Sequence, residues 1–195
     1  MRIVISAANF CAEPLPVYPL GMSVIAGVLV AAGHTVRQFD PMLHGTDQYP
    51  AEAEKLCREF QPELLCISIR NLDVADSWSA TKDFFREICA VVEQWKRIFP
   101  GPVVLGGSGF SMNPAAVMQH SGADYGVAGE GESAILELVS ALASGNPPAR
   151  GSIIRQKAEK IAGARYSRLI ADYYNRETHN IPIQTKRGCP FQCVY

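Results

Sequence analysis

A chain of 195 residues is long enough for one domain of ordinary size with part of another beside it. Hydrophobic residues make up 48% of the chain and charged residues 19%, a composition that excludes a disordered protein and predicts a packed core. The formal net charge of −1 argues against nucleic acid or an anionic membrane as a partner. The sequence shows no secretion signal and no apolar run long enough to span a bilayer, so we expect a cytoplasmic protein.

Strand-like and helix-like patterns alternate five times along the chain. Short apolar runs that end in a polar residue or glycine predict strands at residues 2–8, 35–40, 63–70, 103–107 and 123–129. Apolar residues at helical spacing predict helices at residues 20–32, 51–60, 81–99 and 132–144, and Asn113-Pro114 predicts the start of a short helix at residues 113–121. The third strand is almost entirely apolar, which is typical of the middle of a parallel sheet, whereas the second alternates as at an edge.

This alternation predicts an α/β fold, with a parallel sheet covered on both faces and joined by right-handed crossovers. For five strands we expect the flavodoxin-like order, within a Rossmann-like domain at residues 1–148. The pattern then changes, and residues 149–180 are predicted to form a small hairpin, from residues 150–156 and 160–166, and a linker with a helical turn. Residues 181–195 are expected to begin a further domain, whose first strand would be residues 181–186.

The loops after the third, fourth and fifth strands hold the candidate binding residues, because ligands of an open parallel sheet bind beyond the carboxyl ends of its strands. These residues are Ser68, Ile69, Arg70 and Asn71, then Gly106, Gly107, Ser108, Gly109 and Phe110, and finally Gly129, Glu130, Gly131 and Glu132. The glycines after the fourth strand let the backbone approach a ligand closely, and Ser108 adds a hydroxyl for a phosphate or an amide. A tight turn packed under its helix is the alternative explanation.

Residues 129–132 also have two interpretations. Carboxylates at the start of a helix are favoured by the helix dipole alone. Alternatively, the two glycines open space for a flat ligand between the ends of the fourth and fifth strands. Arg70, at the end of the central strand, is a better candidate for a site than an arginine elsewhere on the surface.

Several common sites are absent from the sequence. The glycines do not form Gly-x-Gly-x-x-Gly after the first strand, and no Walker lysine follows them, which argues against a nicotinamide or FAD site and against a P-loop. Neither a Ser/His/Asp order nor a His-Glu-x-x-His sequence is present, and a structural or solvated role explains each histidine best. We therefore assign no catalytic residue within this chain.

Two cysteines, Cys189 and Cys193, have the spacing of metal ligands. They lie in a loop with glycine and proline, and an aromatic residue follows the second cysteine by two positions. Thiolates bind iron or zinc, and two ligands do not close a tetrahedral site. Zinc with His179 as a third ligand is conceivable, but a three-cysteine cluster with one open iron explains the loop better. The cysteines that suit the core of a protein in a reducing cytoplasm are Cys57, Cys66 and Cys89.

The cysteine loop resembles the cluster loop of the radical S-adenosylmethionine (SAM) superfamily, Cys-x-x-x-Cys-x-aromatic-Cys, with the third cysteine expected as the next residue. Other landmarks, in their order along the chain, resemble the N-terminal part of the cobalamin-dependent radical SAM proteins. These landmarks are the Pro-rich loop before Pro19-Leu-Gly-Met, Gly33-His-Thr-Val with Asp40, Ser68-Ile-Arg-Asn, Gly106-Gly-Ser-Gly and Gly129-Glu-Gly-Glu. Members of this family join a Rossmann-like cobalamin-binding domain to a radical SAM barrel.

The resemblance implies the cofactors and their places. Cobalamin would lie across the carboxyl edge of the sheet, with its nucleotide tail at residues 106–109 and 129–132. Cys189 and Cys193, with a third cysteine, would hold a 4Fe–4S cluster that cleaves SAM to a 5′-deoxyadenosyl radical, and in methylating members methylcobalamin delivers the methyl group. The Asp-x-His-x-x-Gly loop, which supplies a histidine to cobalt in methionine synthase and the mutases, is absent here. Arg70 or Asn71 is then the candidate for the lower face of cobalt.

We therefore expect the cobalamin-binding domain of a radical SAM enzyme, either a methyltransferase or a related catalyst that forms or rearranges C–C bonds, inactive as this fragment. Its partners would be its own C-terminal radical SAM barrel and a small-molecule, lipid or natural-product substrate, with no nucleic acid and no membrane span. One alternative is a radical SAM protein whose Rossmann-like domain has lost cobalamin and serves as a scaffold or substrate lid. Another is a non-enzymatic flavodoxin-like module for a different nucleotide-tailed ligand, with a zinc-binding tail.

Overall fold

A single parallel sheet of six strands lies at the centre of the molecule, for which a computed structural model describes residues 1–12, 15–72, 84–157 and 163–188. The strands are β1 (Arg2–Ala7), β2 (Thr35–Phe39), β3 (Leu64–Ser68), β4 (Val103–Gly106), β5 (Tyr125–Val127) and β6 (Ile153–Ile154). They are arranged in the order β2-β1-β3-β4-β5-β6, and every neighbouring pair is parallel. The flavodoxin-like order predicted for the first five strands is thereby confirmed.

Helices cover both faces of the sheet. The α-helices of the described residues are α1 (Leu20–Ala31), α2 (Gly45–Phe60), α3 (Phe85–Ile98), α4 (Ser108–Met112), α5 (Pro114–Ser121), α6 (Gly131–Ala143) and α7 (Arg168–Thr178). Helices α1 and α6 pack together on one face, and α2, α3 and α5 form the layer on the other. None of the helices in the described ranges is long and apolar enough to cross a membrane.

The core divides into two layers because side chains of a strand point alternately to the two faces of its sheet. In β1, Ile3 and Ile5 belong to the layer under α1 and α6, whereas Val4 belongs to the opposite layer. In that opposite layer, the indole of Trp95 is fully buried and meets the ring of Phe39 edge-on, with 5.3 Å between the ring centres. Both faces of the central strands are therefore buried, which explains why their sequences are continuous apolar runs.

The sheet contains one strand more than the sequence predicted. Residues 150–156, which we expected in a hairpin, instead place Ile153–Ile154 beside β5, with Gly126 opposite Ile153 and Val127 opposite Ile154. The preceding helix α6 provides the crossover that a parallel neighbour requires. Part of the other predicted hairpin strand, residues 158–162, lies outside the described residues.

Four further differences concern helices and the last segment. Helix α2 begins at Gly45 and includes Pro50, whereas we predicted its start after that proline. Residues 108–112, predicted as loop, form the short helix α4. The predicted helical turn in the linker is the 11-residue helix α7. Residues 181–186, predicted as a strand, have no regular secondary structure, which fits the absence of a neighbouring strand for them within the described residues.

Candidate functional site

A cavity of about 330 Å³, which we call the α1–α6 cavity, opens at the carboxyl edge of the sheet. It lies between helices α1 and α6 and the ends of β3, β4 and β5. Its inner wall is apolar and is formed by Ile5, Met22, Val24, Ile25, Cys66, Val104, Leu105, Val127 and Ile135. Burial raises the pKa of the Cys66 thiol to about 12, so this wall carries no charge at neutral pH. The cavity size and lining suit a small organic ligand with an apolar part.

Polar and glycine residues surround the mouth of the α1–α6 cavity. Those predicted from the sequence are Ser68, Gly106, Gly107, Ser108, Gly129, Glu130, Gly131 and Glu132. The parallel register explains how the loops converge, since Ala7 lies opposite Ser68 and Ser68 lies opposite Gly106 across three neighbouring strands. The loops after the third, fourth and fifth strands thus border one cavity.

A second cavity of about 250 Å³, the edge cavity, adjoins the first along the carboxyl edge. The two cavities share Leu20, Gly21, Ser68, Gly107 and Ser108. The edge cavity is also lined by Asn9, Ile69, Arg70, Tyr174 and Pro182. A ligand with two connected parts could occupy both cavities at once, one part under α1 and the other across the strand ends.

The glycines after β4 have more than one role. Gly107 has φ 101° and ψ 174°, a conformation open essentially only to glycine, and a Cβ there would overlap the carbonyl oxygen of Ile69. Gly109 is buried, donates its N–H to the carbonyl of Ile69 at 3.0 Å and does not line either cavity. Ser108 donates its hydroxyl to the Arg70 carbonyl at 2.8 Å. This loop is therefore both a tight turn against the end of β3 and part of the cavity mouth.

Ser111, which the sequence interpretation missed, connects two of the loops. Its hydroxyl donates to the carbonyl of Gly107 at 2.8 Å and accepts the backbone N–H of Gly129 at 2.8 Å. Gly129 itself has φ 84°, and a Cβ there would meet no atom within 4 Å. The open space beside Gly129 is what a closely approaching ligand needs.

An ion pair crosses the mouth of the α1–α6 cavity. The Nη2 group of Arg187 donates to Oε1 of Glu132, and Nη1 of Arg187 lies 3.9 Å from Oε1 of Glu130. Glu132 is in the first turn of α6, where the helix dipole also favours a carboxylate. The hydrogen bond to Glu132 raises the pKa of Arg187 above its already high value, so the guanidinium stays charged. Arg187 and its neighbour Gln184 both line this cavity, and the sequence interpretation missed both.

The remaining predicted residues lie away from the two cavities or outside the described chain. Asn71 accepts a hydrogen bond at its carbonyl from the Asn9 side chain, at 3.3 Å, and lines neither cavity. Phe110 is on α4, and its side chain is fully buried in the core. Cys189 and Cys193 lie outside the described residues. Among the residues that are described, no group of three or more His, Cys, Asp or Glu side chains could hold a metal ion.

A buried tyrosine–aspartate contact lies behind the edge cavity. The hydroxyl of Tyr174, on α7, donates to Oδ2 of Asp40 at 2.9 Å, and the Met42 N–H donates to Oδ1 at 3.0 Å. Asp40 is 1% exposed, and this burial raises its pKa to about 6 despite both hydrogen bonds. The ring of Tyr18 meets that of Tyr174 edge-on, at 5.5 Å between ring centres. Helix α7 therefore closes one side of the carboxyl edge.

These features define a Rossmann-like domain with two adjoining cavities at the carboxyl edge of its sheet. The family model described as the B12 binding domain matches residues 13–139, which is more than half of the chain. The chain belongs to the B12-binding domain family. The match ends before the segment that carries Gln184 and Arg187, so this segment lies outside what the family model describes.

Relatives of this chain include two curated methyltransferases. The chain is 32% identical over 130 residues to tryptophan 2-C-methyltransferase from Streptomyces laurentii, a match that covers 67% of this chain and 21% of that protein. It is 27% identical over 199 residues to the uncharacterized methyltransferase PH0819 from Pyrococcus horikoshii, covering 91% of this chain and 40% of that protein. The chain thus spans between a fifth and two fifths of the length of these curated relatives.

A solved structure of similar fold contains the expected cofactors. It is the radical SAM methyltransferase TsrM from Kitasatospora setae with cobalamin and a 4Fe–4S cluster bound, which superposes with a TM-score of 0.68 at 28% identity. The match covers 74% of this chain and 25% of TsrM. A TsrM structure with tryptophan and a SAM analogue superposes with a TM-score of 0.66. The resemblance to cobalamin-dependent radical SAM proteins is confirmed, and this chain is a cobalamin-binding domain related to such a methyltransferase.

Proposed function

We propose that this chain holds cobalamin in its two connected cavities, as the cofactor-binding part of a radical SAM methyltransferase. The observation that carries the proposal is an apolar cavity under α1 and α6 that continues along the strand ends into a second, more polar one. Cobalamin has a matching division into a flat base on a nucleotide tail and a broad corrin ring. When bound, cobalamin would carry the methyl group that is transferred, and the side chains of this domain would position it.

The residues at the cavities fit this cofactor by chemistry. The uncharged, apolar wall of the α1–α6 cavity suits the base of the nucleotide tail. The backbone of Gly106 and Gly107 and the hydroxyl of Ser108 would hold the polar part of the tail at the mouth, with Gly129 leaving room for its approach. These side chains bind and orient the cofactor and exclude water, and none of them is proposed to react.

Arg70 is the proposed residue for the lower face of cobalt, and the geometry favours it over Asn71. Its side chain is exposed and lines the edge cavity, whereas Asn71 lines neither cavity. Its backbone is held in place, because its N–H donates to Oδ1 of Asn9 at 2.8 Å and its carbonyl accepts from Ser108. We expect Arg70→Ala to change the visible spectrum of bound cobalamin while the cofactor is retained. An unchanged spectrum would contradict this assignment.

Retention of the cofactor tests the proposed function. Hydroxocobalamin is added to the purified 195-residue chain, excess is removed by gel filtration, and the visible spectrum is recorded. We expect stoichiometric corrinoid in the protein fraction, and we expect this chain alone to transfer no methyl group. Protein that emerges without corrinoid would contradict the proposal and favour a domain that serves as a scaffold.

Cys189 and Cys193 are proposed as two of three ligands of a 4Fe–4S cluster in the whole protein. Their spacing supports this assignment, since a third thiolate would leave one iron open to bind SAM. We expect Cys189→Ala and Cys193→Ala each to abolish cluster incorporation in the whole protein without loss of bound cobalamin. Iron and sulfide content equal to that of the unsubstituted protein would contradict the assignment.

A further inference from the structure

Arg187 has a hydrogen-bond donor that no described residue satisfies. Its Nη2 donates to Glu132 and, at 3.3 Å, to Oε1 of Gln184. Its Nη1 is buried and lacks an acceptor among the described residues, and the 3.9 Å to Glu130 is too long for a hydrogen bond. A buried guanidinium N–H without an acceptor is costly, because the group gives up its hydrogen bonds to water and gains none.

The position of this donor connects it to the ligand site. Arg187 lines the α1–α6 cavity, whose inner wall offers no acceptor side chain. The Arg187 side chain is 25% exposed and that of Glu132 is 7% exposed, so their ion pair is largely shielded from water. A guanidinium has five N–H donors in a fixed fork, and it can therefore hold Glu132 with one edge and a ligand oxygen with another.

The charges at the mouth allow an oxygen-rich ligand group. Arg187 neutralises Glu132, Glu130 is 37% exposed and screened by water, and the start of α6 contributes a partial positive charge. The part of cobalamin that carries such oxygens next to its base is the ribose-phosphate of the nucleotide tail.

We infer that Arg187 donates the N–H of Nη1 to a ribose-phosphate oxygen of the cobalamin nucleotide tail, and so makes the site select complete corrinoids. The inference rests on the proposed function. It adds a binding residue from the segment after α7, beyond the residues that the B12-binding family model matches. Arg187 thereby couples the tail to the first turn of α6 through Glu132.

Cobinamide is the probe that isolates this contact, because it has the corrin ring of cobalamin without the nucleotide tail. Affinities of the 195-residue chain for hydroxocobalamin and for aquocobinamide are measured by equilibrium titration. We expect Arg187→Ala to weaken hydroxocobalamin binding about tenfold to a hundredfold, the usual loss for a charge-assisted hydrogen bond, and to change cobinamide binding by less than about twofold. Arg168→Ala, which removes an exposed arginine of α7, is the matched control and is expected to change neither affinity.

Arg187→Lys separates a ligand contact from a structural ion pair. Lysine keeps the positive charge beside Glu132 but lacks the second edge of the guanidinium fork. We expect the Arg187→Lys variant to keep the unfolding midpoint of the unsubstituted chain. We expect it to lose most of the preference for hydroxocobalamin over aquocobinamide. Unchanged affinity of this variant for hydroxocobalamin would overturn the inference, as would an equal loss of both corrinoids in Arg187→Ala. Failure of the unsubstituted chain to bind either corrinoid would instead contradict the proposed function.

Discussion

At the scale of single residues, Gly107 shows how the cavity mouth depends on a backbone conformation. Its φ and ψ belong to a region that only glycine adopts readily, and the end of β3 occupies the space where a side chain would begin. The turn brings the carbonyl of Ile69 and the N–H of Gly109 within 3.0 Å. The shape of the cavity mouth therefore depends on having a glycine at this position.

Gly107→Ala is expected to lower the free energy of unfolding by roughly 2–4 kcal/mol, since it combines a disallowed φ with overlap against Ile69. Gly145→Ala is the control, because Gly145 also has a positive φ, 73°, but a Cβ there meets nothing within 4 Å. We expect this control to lose only about 1 kcal/mol. Urea denaturation measures the free energy of unfolding of both variants. Equal losses in the two variants would show that overlap with Ile69 does not contribute to the cost of Gly107→Ala.

The buried carboxyl group of Asp40 makes the stability of the fold depend on pH. Its pKa rises from an unfolded value of 3.8 to about 6 in the fold, so folding favours the protonated form. The resulting stabilisation is fully present below about pH 4 and is lost as the pH rises through about 6, by up to about 3 kcal/mol. We expect Asp40→Asn, which keeps a polar group beside Tyr174, to remove this pH-dependent part of the stability.

The measurement is the difference in unfolding free energy between the unsubstituted chain and Asp40→Asn at several pH values. Other carboxylates, such as Glu63, whose pKa the backbone N–H of Arg2 lowers, contribute equally to both proteins and cancel. The difference should change between about pH 4 and pH 6 and be constant above it. A difference that is constant from pH 4 to 7 would contradict the raised pKa.

Most of the cavity-lining residues in the strand-end loops could be predicted from the sequence, whereas Gln184 and Arg187 could not. A glycine-rich loop after an apolar strand has a known place at the carboxyl edge of a parallel sheet. Arg187 reaches Glu132 across 55 residues, and only the path of the chain after α7 brings the two together. No local pattern encodes that path, because it depends on tertiary packing.

At the scale of elements, α7 is part of the cobalamin-binding domain's core. Ile170 and Tyr174 are 1% and 3% exposed and pack against the layer under α1. The preceding segment is also attached, since the N–H of Arg165 donates to the carbonyl of Ser23 at 2.8 Å and the Gln38 side chain donates to the carbonyl of Arg165 at 2.6 Å. This attachment fixes the start of α7 against the domain.

Ile170→Ala is expected to lower the free energy of unfolding by roughly 2–4 kcal/mol, the usual result of removing a buried aliphatic side chain. Its neighbour Leu169 is 69% exposed, and Leu169→Ala should change stability by less than about 0.5 kcal/mol. Urea denaturation compares the two variants. Similar small losses would mean that α7 does not pack on the domain in solution.

The elements themselves were largely predictable where their hydrophobic pattern is long and regular. The apolar stripe of α3 predicts a helix because it buries one face, and the apolar run of β3 predicts a buried strand because both of its faces are covered. Strand β6 has only two residues, too few to show a periodicity. The sequence predicts only one helical turn in place of α7, because only Ile170 and Tyr174 of its 11 residues are buried and the apolar pattern is weak.

At the scale of the whole molecule, the site exists only where separate parts of the chain meet. The α1–α6 cavity takes its walls from the ends of β3, β4 and β5, from α1 and α6, and from the segment after α7. Parallel register alone predicts that the strand ends converge. The depth of the cavity depends on how α1 and α6 pack, which the sequence of either helix does not reveal.

Gly21 offers the most direct test of the central claim that cobalamin occupies the two connected cavities. It lies in α1 and lines both of them, and a Cβ there would only touch Ser68 Oγ at 4.0 Å. Gly21→Leu therefore fills the junction of the cavities, while leucine is at least as good a helix former as glycine. Ala51→Leu, on the exposed side of α2, is the matched control.

The measurement is an equilibrium titration of the unsubstituted chain and both variants with hydroxocobalamin, followed by the visible spectrum. We expect the unsubstituted chain and Ala51→Leu to bind with equal affinity, and Gly21→Leu to bind at least about tenfold more weakly because its side chain occupies the ligand space. Equal affinity of Gly21→Leu and the unsubstituted chain would contradict the account, since cobalamin would then be bound outside these cavities.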